Sequence, residues 1–212
     1  SGGLVHTGGS GGVFGYSNTI GDFSLSVEYA PSLTTADNGD GAAGGDDTSL
    51  ANGSNTNFAI TNSGMIDGLT FGVGAGTSSY DDTSVDGMED GSSSVAFANY
   101  TMGPATVGIT LSDTSNTRSG TAVNTNSGGR EVEAYGVAFA VNDNLSVSYN
   151  EHNMTYRKAG AGPDVEQEST GIAIAYTMGG ATLAIQNNEQ DNSSGTAGSN
   201  DEITEVSLSL AF

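Results

Sequence analysis

The final stretch of the chain, Val206-Ser207-Leu208-Ser209-Leu210-Ala211-Phe212, alternates strictly between apolar and small residues. Successive side chains in a strand point to opposite faces, so this segment has one apolar and one mildly polar face. The same two-residue period returns along the chain. Phe23, Leu25, Val27 and Tyr29 alternate with Ser24, Ser26 and Glu28. Leu69, Phe71, Val73 and Ala75 alternate with Thr70, Gly72, Gly74 and Gly76, and Ala105, Val107, Ile109 and Leu111 with Thr106, Gly108, Thr110 and Ser112. Tyr135, Val137, Phe139 and Val141 are followed by Leu145, Val147 and Tyr149, and Ile172, Ile174, Tyr176 and Met178 lead into Leu183 and Ile185.

Two kinds of connection separate these segments. Ile20-Gly21-Asp22, Met65-Ile66-Asp67-Gly68, Gly103-Pro104, Asn142-Asp143-Asn144 and Gly179-Gly180 have tight-turn chemistry. The others, at 31–54, 77–92, 114–130, 157–168 and 189–200, are long and rich in Asn, Asp, Gly, Ser and Thr. Regular alternation of short and long puts all tight turns at one end of the strands, the asymmetry of outer-membrane barrels. About eleven strands are predicted, near 12–18, 23–30, 55–62, 69–77, 93–102, 105–113, 131–141, 145–156, 169–178, 181–188 and 202–212. The expected fold is all-β, an antiparallel transmembrane β-barrel, with residues 1–212 forming a single barrel domain.

Face chemistry decides which side meets lipid. A soluble sandwich would turn its large apolar residues inward and its charges outward. Here the face opposite the apolar one is mostly Gly, Ala, Ser and Thr, which suits a wall on water, with the apolar face on lipid. Tyr16, Phe23, Tyr100, Phe139, Tyr176 and Phe212 are expected near the tight-turn girdle; Tyr29, Tyr80, Tyr135 and Tyr149 lie toward the long loops. Asn99-Tyr100-Thr101-Met102-Gly103-Pro104-Ala105-Thr106 echoes Ala175-Tyr176-Thr177-Met178-Gly179-Gly180-Ala181-Thr182, one hairpin design used twice.

Lys+Arg number 4 against Asp+Glu 25, a net charge of −21 that makes nucleic acid and anionic membrane surfaces poor partners. With 35% apolar residues the chain is lean in hydrophobes, but its acids concentrate between the alternating segments. Cysteine is absent, so thiol and disulfide chemistry are excluded.

Bacterial single-chain barrels have even strand numbers, and an open edge cannot face lipid with its backbone groups unpaired. Eleven strands ending in an aromatic therefore point to strands missing before Ser1. The pattern resembles the general diffusion porins of Gram-negative bacteria, particularly the alphaproteobacterial, Rhodobacter-like type. That resemblance implies the C-terminal part of a sixteen-stranded barrel, a homotrimer in the bacterial outer membrane with lipid and lipopolysaccharide around it. It also implies a third extracellular loop folded inward, with the Gly-rich segment Ser1 to Gly12 as its tail. Phe212 would then be the assembly signal read by the outer-membrane insertion machinery. The expected function is passive diffusion of ions and small hydrophilic solutes with mild cation preference, not catalysis. Ser24, Ser26, Glu28, Thr70, Thr106, Thr110, Thr182 and Ser207 are the expected pore-lining residues.

Other constellations are weaker. Asp40, Asp46 and Asp47 in one loop and Asp81, Asp82 and Asp86 in another are candidate Ca²⁺ ligands, since clustered carboxylates suit a hard cation. Neither loop matches an EF-hand, and no cofactor is required by the pattern. Solvated, repulsive loop tips are the plainer reading of both. His152 beside Glu151 lacks a spaced nucleophile or second acid, so a polar residue near the rim is expected rather than a catalytic one. The four basic residues, Arg118, Arg130, Arg157 and Lys158, lie in or beside long loops. A secreted or surface-exposed acidic Ca²⁺-binding β-protein, an adhesive or matrix module, is the alternative from another class.

Overall fold

A computed structural model describes residues 13–31, 52–80, 90–115, 128–158 and 162–211. Among them the chain forms eleven strands: β1 (Phe14–Ile20), β2 (Phe23–Ala30), β3 (Asn52–Asn62), β4 (Leu69–Tyr80), β5 (Gly91–Met102), β6 (Ala105–Thr114), β7 (Arg130–Ala140), β8 (Leu145–Tyr156), β9 (Val165–Met178), β10 (Ala181–Asp191) and β11 (Asp201–Leu210). All belong to one sheet in which strands pair in chain order, antiparallel throughout. The strand count matches the sequence pattern. The ends differ mostly on the long-loop side, where β9 begins at Val165 rather than near 169. There the polar tops of the strands carry no hydrophobic alternation, and only backbone pairing defines them.

The tight turns show why the hairpins close where they do. Gly21, Gly103 and Gly179 have φ of 60°, 57° and 60°, each as the first residue of a two-residue turn. Positive φ at that first position is the type II′ arrangement, which matches the right-handed twist of the flanking strands. Pro104 follows Gly103, where the fixed φ of proline is welcome. The hydroxyls of Thr101 and Thr106 meet at 3.0 Å across one such turn, and those of Thr177 and Thr182 at 3.0 Å across another. The repeated sequence is thus a repeated hairpin. The β3–β4 connection is longer: Asn62 Oδ1 accepts from the Met65 amide at 3.0 Å, and Asn62 is only 1% exposed beneath that turn.

Among the described residues the sheet has no second layer. Tyr156 is the single buried hydrophobic side chain among the described residues, while Val107, Val73, Ile172 and Leu183 are all 40–55% exposed. A sandwich would have hidden them. The polar face is the more occluded one: Asn55, Asn57 and Gln167 are nearly buried there, as expected on the concave side of a curved sheet. Cohesion comes from the backbone ladder and cross-strand pairs, such as Val107 between Tyr100 and Val137 and Ile185 between Ile174 and Val206. That arrangement suits a medium in which the apolar face needs no protein cover.

On β4 the bare backbone at Gly72 and Gly76 is covered by side chains of adjacent strands. A Cβ on Gly72 would lie 2.8 Å from the Phe97 ring and 3.0 Å from the Ile60 carbonyl oxygen; one on Gly76 would collide with the Asn57 amide. Phe97 stands on the polar face and lies across Gly72, an aromatic covering an otherwise bare backbone. Gly72→Val is expected to cost about 1–3 kcal/mol by overpacking. Urea unfolding of detergent-folded protein reads this, and Phe97→Ala in the same chain should recover part of the loss. Equal stability of Gly72→Val and the parent would show that Phe97 does not rest there.

Candidate functional site

The parity of each strand sorts the residues of interest. Ser24, Ser26, Glu28, Thr70, Thr106, Thr110, Thr182 and Ser207 all fall on the polar face, opposite in parity to Leu25, Val107 and Leu208. The register also joins them into rows perpendicular to the strands. One row runs Thr19, Ser24, Thr61, Gly72, Phe97, Thr110, Ala134, His152, Ser169, Gln190, Asp201, across all eleven strands. Its neighbour runs Thr70, Asn99, Gly108, Gly136, Asn150, Gly171, Asn188, Ile203. Hydroxyls, amides and glycines dominate both.

Charges on this face are few. Within the described strands they are Glu28, Arg130, Asp201 and Glu205, with His152 the one imidazole. Arg130 rests over the Tyr156 ring at 5.2 Å, and Glu205 accepts from Gln186 Nε2 at 2.9 Å. His152 lies opposite Ala134 and Ser169, not beside an acid on its own face. Glu151, its chain neighbour, points the other way, and its carboxylate accepts from Tyr149 at 3.2 Å and Asn153 at 3.0 Å.

The other face carries the larger set of acids, which the sequence pattern did not reveal. Asp113, Glu131, Glu133, Glu151, Glu166, Glu168, Glu189, Asp191 and Glu202 share the parity of the apolar residues but sit above them, toward the long loops. Arg157, just beyond β8, binds Asp113 and, at 3.1 Å, Glu131. Hydrogen bonding to Asp113 raises its pKa against the opposing effect of burial, and Glu131 adds to the rise. Tyr135 donates to Glu133 at 2.9 Å and so marks the boundary between apolar and acidic zones. Tyr16 falls beside Val27, farther from the tight turn than expected, because β1 extends to Ile20. A hollow of about 370 Å³ between Val73, Ala96 and Leu111 opens on this same face, beneath Asp113, Glu131 and Glu133.

One long loop is described in full, and it folds over the polar face. After β10 the chain turns back across β9 through a short 3-10 turn, Ser193–Gly195. The Ser194 amide donates to Gln167 Oε1 at 2.9 Å, and the Tyr156 hydroxyl donates to the same oxygen at 3.3 Å. Gln167 Nε2 donates to Ser169 Oγ at 3.2 Å, and Gln190 Nε2 to Ser193 Oγ at 3.2 Å. Asn192 Nδ2 adds a bond of 2.9 Å to the Glu166 carbonyl. Asn192 and Ser194 hold φ of 54° and 56°, a left-handed conformation that asparagine tolerates and that is costly for serine. The loop is therefore pinned at a definite place on the concave wall, with Gln167 as its anchor. The sequence hint was faint: Asn192, Gly195 and Gly198 as left-handed formers in one short segment.

The candidate Ca²⁺ ligands Asp40, Asp46, Asp47, Asp81, Asp82 and Asp86 lie outside the described residues, as do Arg118, Phe212 and the segment Ser1 to Gly12.

No protein-family model matches the chain, and neither does any curated protein sequence. Solved structures do match. The anion-selective porin of Comamonas acidovorans aligns with a TM-score of 0.65 at 13% identity, covering 94% of this chain and 59% of that one. OmpF of Salmonella typhi, solved with daunomycin, gives 0.62 at 14% identity over 93% and 61%. A porin refined at 1.8 Å resolution gives 0.61 at 16% identity over 94% and 61%. The fold is thus that of the porin barrels, and the chain spans about three fifths of the length of these structures.

Proposed function

We propose that the protein is an outer-membrane porin, a water-filled channel for passive diffusion of ions and small hydrophilic solutes. The observation that carries this reading is the inverted sheet. Among the described residues its apolar face has no protein cover, its polar face is the more occluded one, and the fold is that of porin barrels. Ser24, Ser26, Glu28, Thr70, Thr106, Thr110, Thr182 and Ser207 would line the lumen. The resemblance to sixteen-stranded alphaproteobacterial porins, the homotrimer, and the role of Phe212 in assembly all belong to this proposal. The acidic zone above the apolar belt would sit at headgroup level, where divalent cations bridge carboxylates to the anionic sugars of lipopolysaccharide.

The mechanism is geometric and electrostatic: a lumen admits solutes by size, and charges near its mouth bias the ions that enter. Among the described strands, three of the four charged side chains on the polar face are acidic, and the net charge of −21 adds to their field. Mild cation preference follows, weaker at high salt as screening shortens the range of the field. Detergent-purified full-length protein in planar bilayers should show stepwise conductance and a cation-directed reversal potential under a salt gradient. Anion preference at low salt would refute the electrostatic part; absence of conductance would refute the channel.

A further inference from the structure

The polar face is mostly hydroxyls, amides and glycines, but Val95, Phe97, Val132 and Met154 interrupt it. The register gathers them. Val95, Ser112, Val132 and Met154 stand opposite one another in a single row across β5 to β8. Phe97 lies one row nearer the tight turns, and the Tyr156 ring one row nearer the long loops. Val95, Phe97, Val132 and Met154 are all partly exposed, so the patch is open on the polar side.

Arg130 caps this patch. It precedes Val132 on the same face of β7 and stands opposite Tyr156, its guanidinium 5.2 Å from the ring centroid. The ring is itself held, because the Tyr156 hydroxyl donates to Gln167 Oε1 at 3.3 Å. A guanidinium stacked on an aromatic face keeps its N–H edge free, and that edge meets a carboxylate as a planar fork. Among the described residues Arg130 forms no ion pair. Glu131 points to the other face, where Arg157 engages it. The acids on the polar face of the described strands, Glu28, Asp201 and Glu205, stand on β2 and β11, five and four strands away from β7. None of them competes for Arg130.

We infer that Arg130 and the apolar side chains beneath it form a binding subsite for small monocarboxylates with an apolar body, such as aromatic acids. The inference rests on the channel reading and names a solute class for it. The carboxylate pairs with the guanidinium while the body covers Val132 and Met154, which removes apolar surface from water. Charge alone is a weak hold in a wet lumen, and so is a small apolar contact alone. Selectivity comes from the two at one spacing. A polyhydroxylated solute gains nothing from the patch, and a bare anion uses only its upper edge. Binding is weak, as a channel must release what it holds.

The test uses full-length protein in planar bilayers at constant ionic strength, with benzoate as probe. Acetate is the control for charge and benzamide the control for the apolar body. Benzoate should lower the ion current saturably, at concentrations roughly tenfold below either control. Arg130→Gln should weaken the benzoate effect roughly tenfold, to the level of benzamide. Val132→Thr, which replaces a methyl by a hydroxyl of similar size, should weaken it roughly threefold and leave the acetate effect as it was. Ser112→Ala, which joins Val95 to Val132 across β6, should strengthen it. Each effect is read as a fraction of the variant's own open current. A benzoate effect equal in the parent and all three variants would overturn the assignment. So would benzoate acting no more strongly than acetate on a conducting parent, a result that leaves the channel itself standing. Absence of conductance in the parent would overturn the channel and the subsite together.

Discussion

Freeing the β10–β11 loop from the concave wall is expected to increase single-channel conductance. Gln167 is the point of attack, since its Oε1 accepts from both Ser194 and Tyr156 while its Nε2 holds Ser169. The residue is only 8% exposed, and each such bond contributes on the order of 1 kcal/mol net. Of the three, only the bond from Ser194 ties the loop to the wall, so Gln167→Ala costs the docked loop about 1 kcal/mol and shifts its docked-to-free ratio roughly fivefold. The left-handed conformation of Ser194 works in the same direction, because its strain is relieved when the loop lets go. Gln167→Ala should therefore raise mean conductance and add flicker on the timescale of loop motion. Shortening residues 193–198 to a tight turn should raise conductance without flicker. Conductance unchanged in both variants would show that the loop stands clear of the solute path.

Placing a guanidinium on the apolar face is the second change with a large expected effect. Val107 is 49% exposed in the sheet and flanked by Tyr100 and Val137, in the middle of the apolar belt. On a lipid-facing wall near the bilayer centre, Val107→Arg should cost about 2–4 kcal/mol. Thr106, one residue earlier, faces the other way and bonds Thr101 at 3.0 Å. Thr106→Arg should cost far less in refolding experiments in lipid vesicles, because its head group reaches water. A one-residue step that changes the penalty this much is the signature of a wall with lipid on one side and water on the other. Equal costs at Val107 and Thr106 would mean that the faces are misassigned. Leu183, set between Tyr176 and Leu208, provides an independent repeat of the same comparison.

Phe97 and the acidic zone show where a one-dimensional pattern stops. Phe97 has the parity of Val95 and Asn99 and looks unremarkable in sequence; only the register puts it on Gly72. Glu166 and Glu168 sit in a segment that a hydrophobic period treats as loop, and Glu131, Glu133 and Glu151 stand at the polar ends of predicted strands, beyond their apolar alternation. Pairing of β7, β8 and β9 well beyond their apolar stretches brings these carboxylates onto one surface. The loop anchored on Gln167 was hidden for a related reason: its bonds join residues 26 or 27 positions apart.

The number and direction of the strands, the identity of the two faces and the position of the tight turns follow from local chemistry. A strand exposes alternate residues on alternate sides, and a glycine at the first turn position permits the backbone that a two-residue hairpin needs. Those rules act over a few residues, so they are written in the order of the amino acids. The rows across the wall, the apolar patch beneath Arg130 and the inward loop depend on which strand residue stands opposite which. That is decided by cross-strand register, a relation between segments that no local period carries. Tertiary structure alone brings Val95, Val132 and Met154 into one row, because only the pairing of β5 to β8 makes distant residues neighbours.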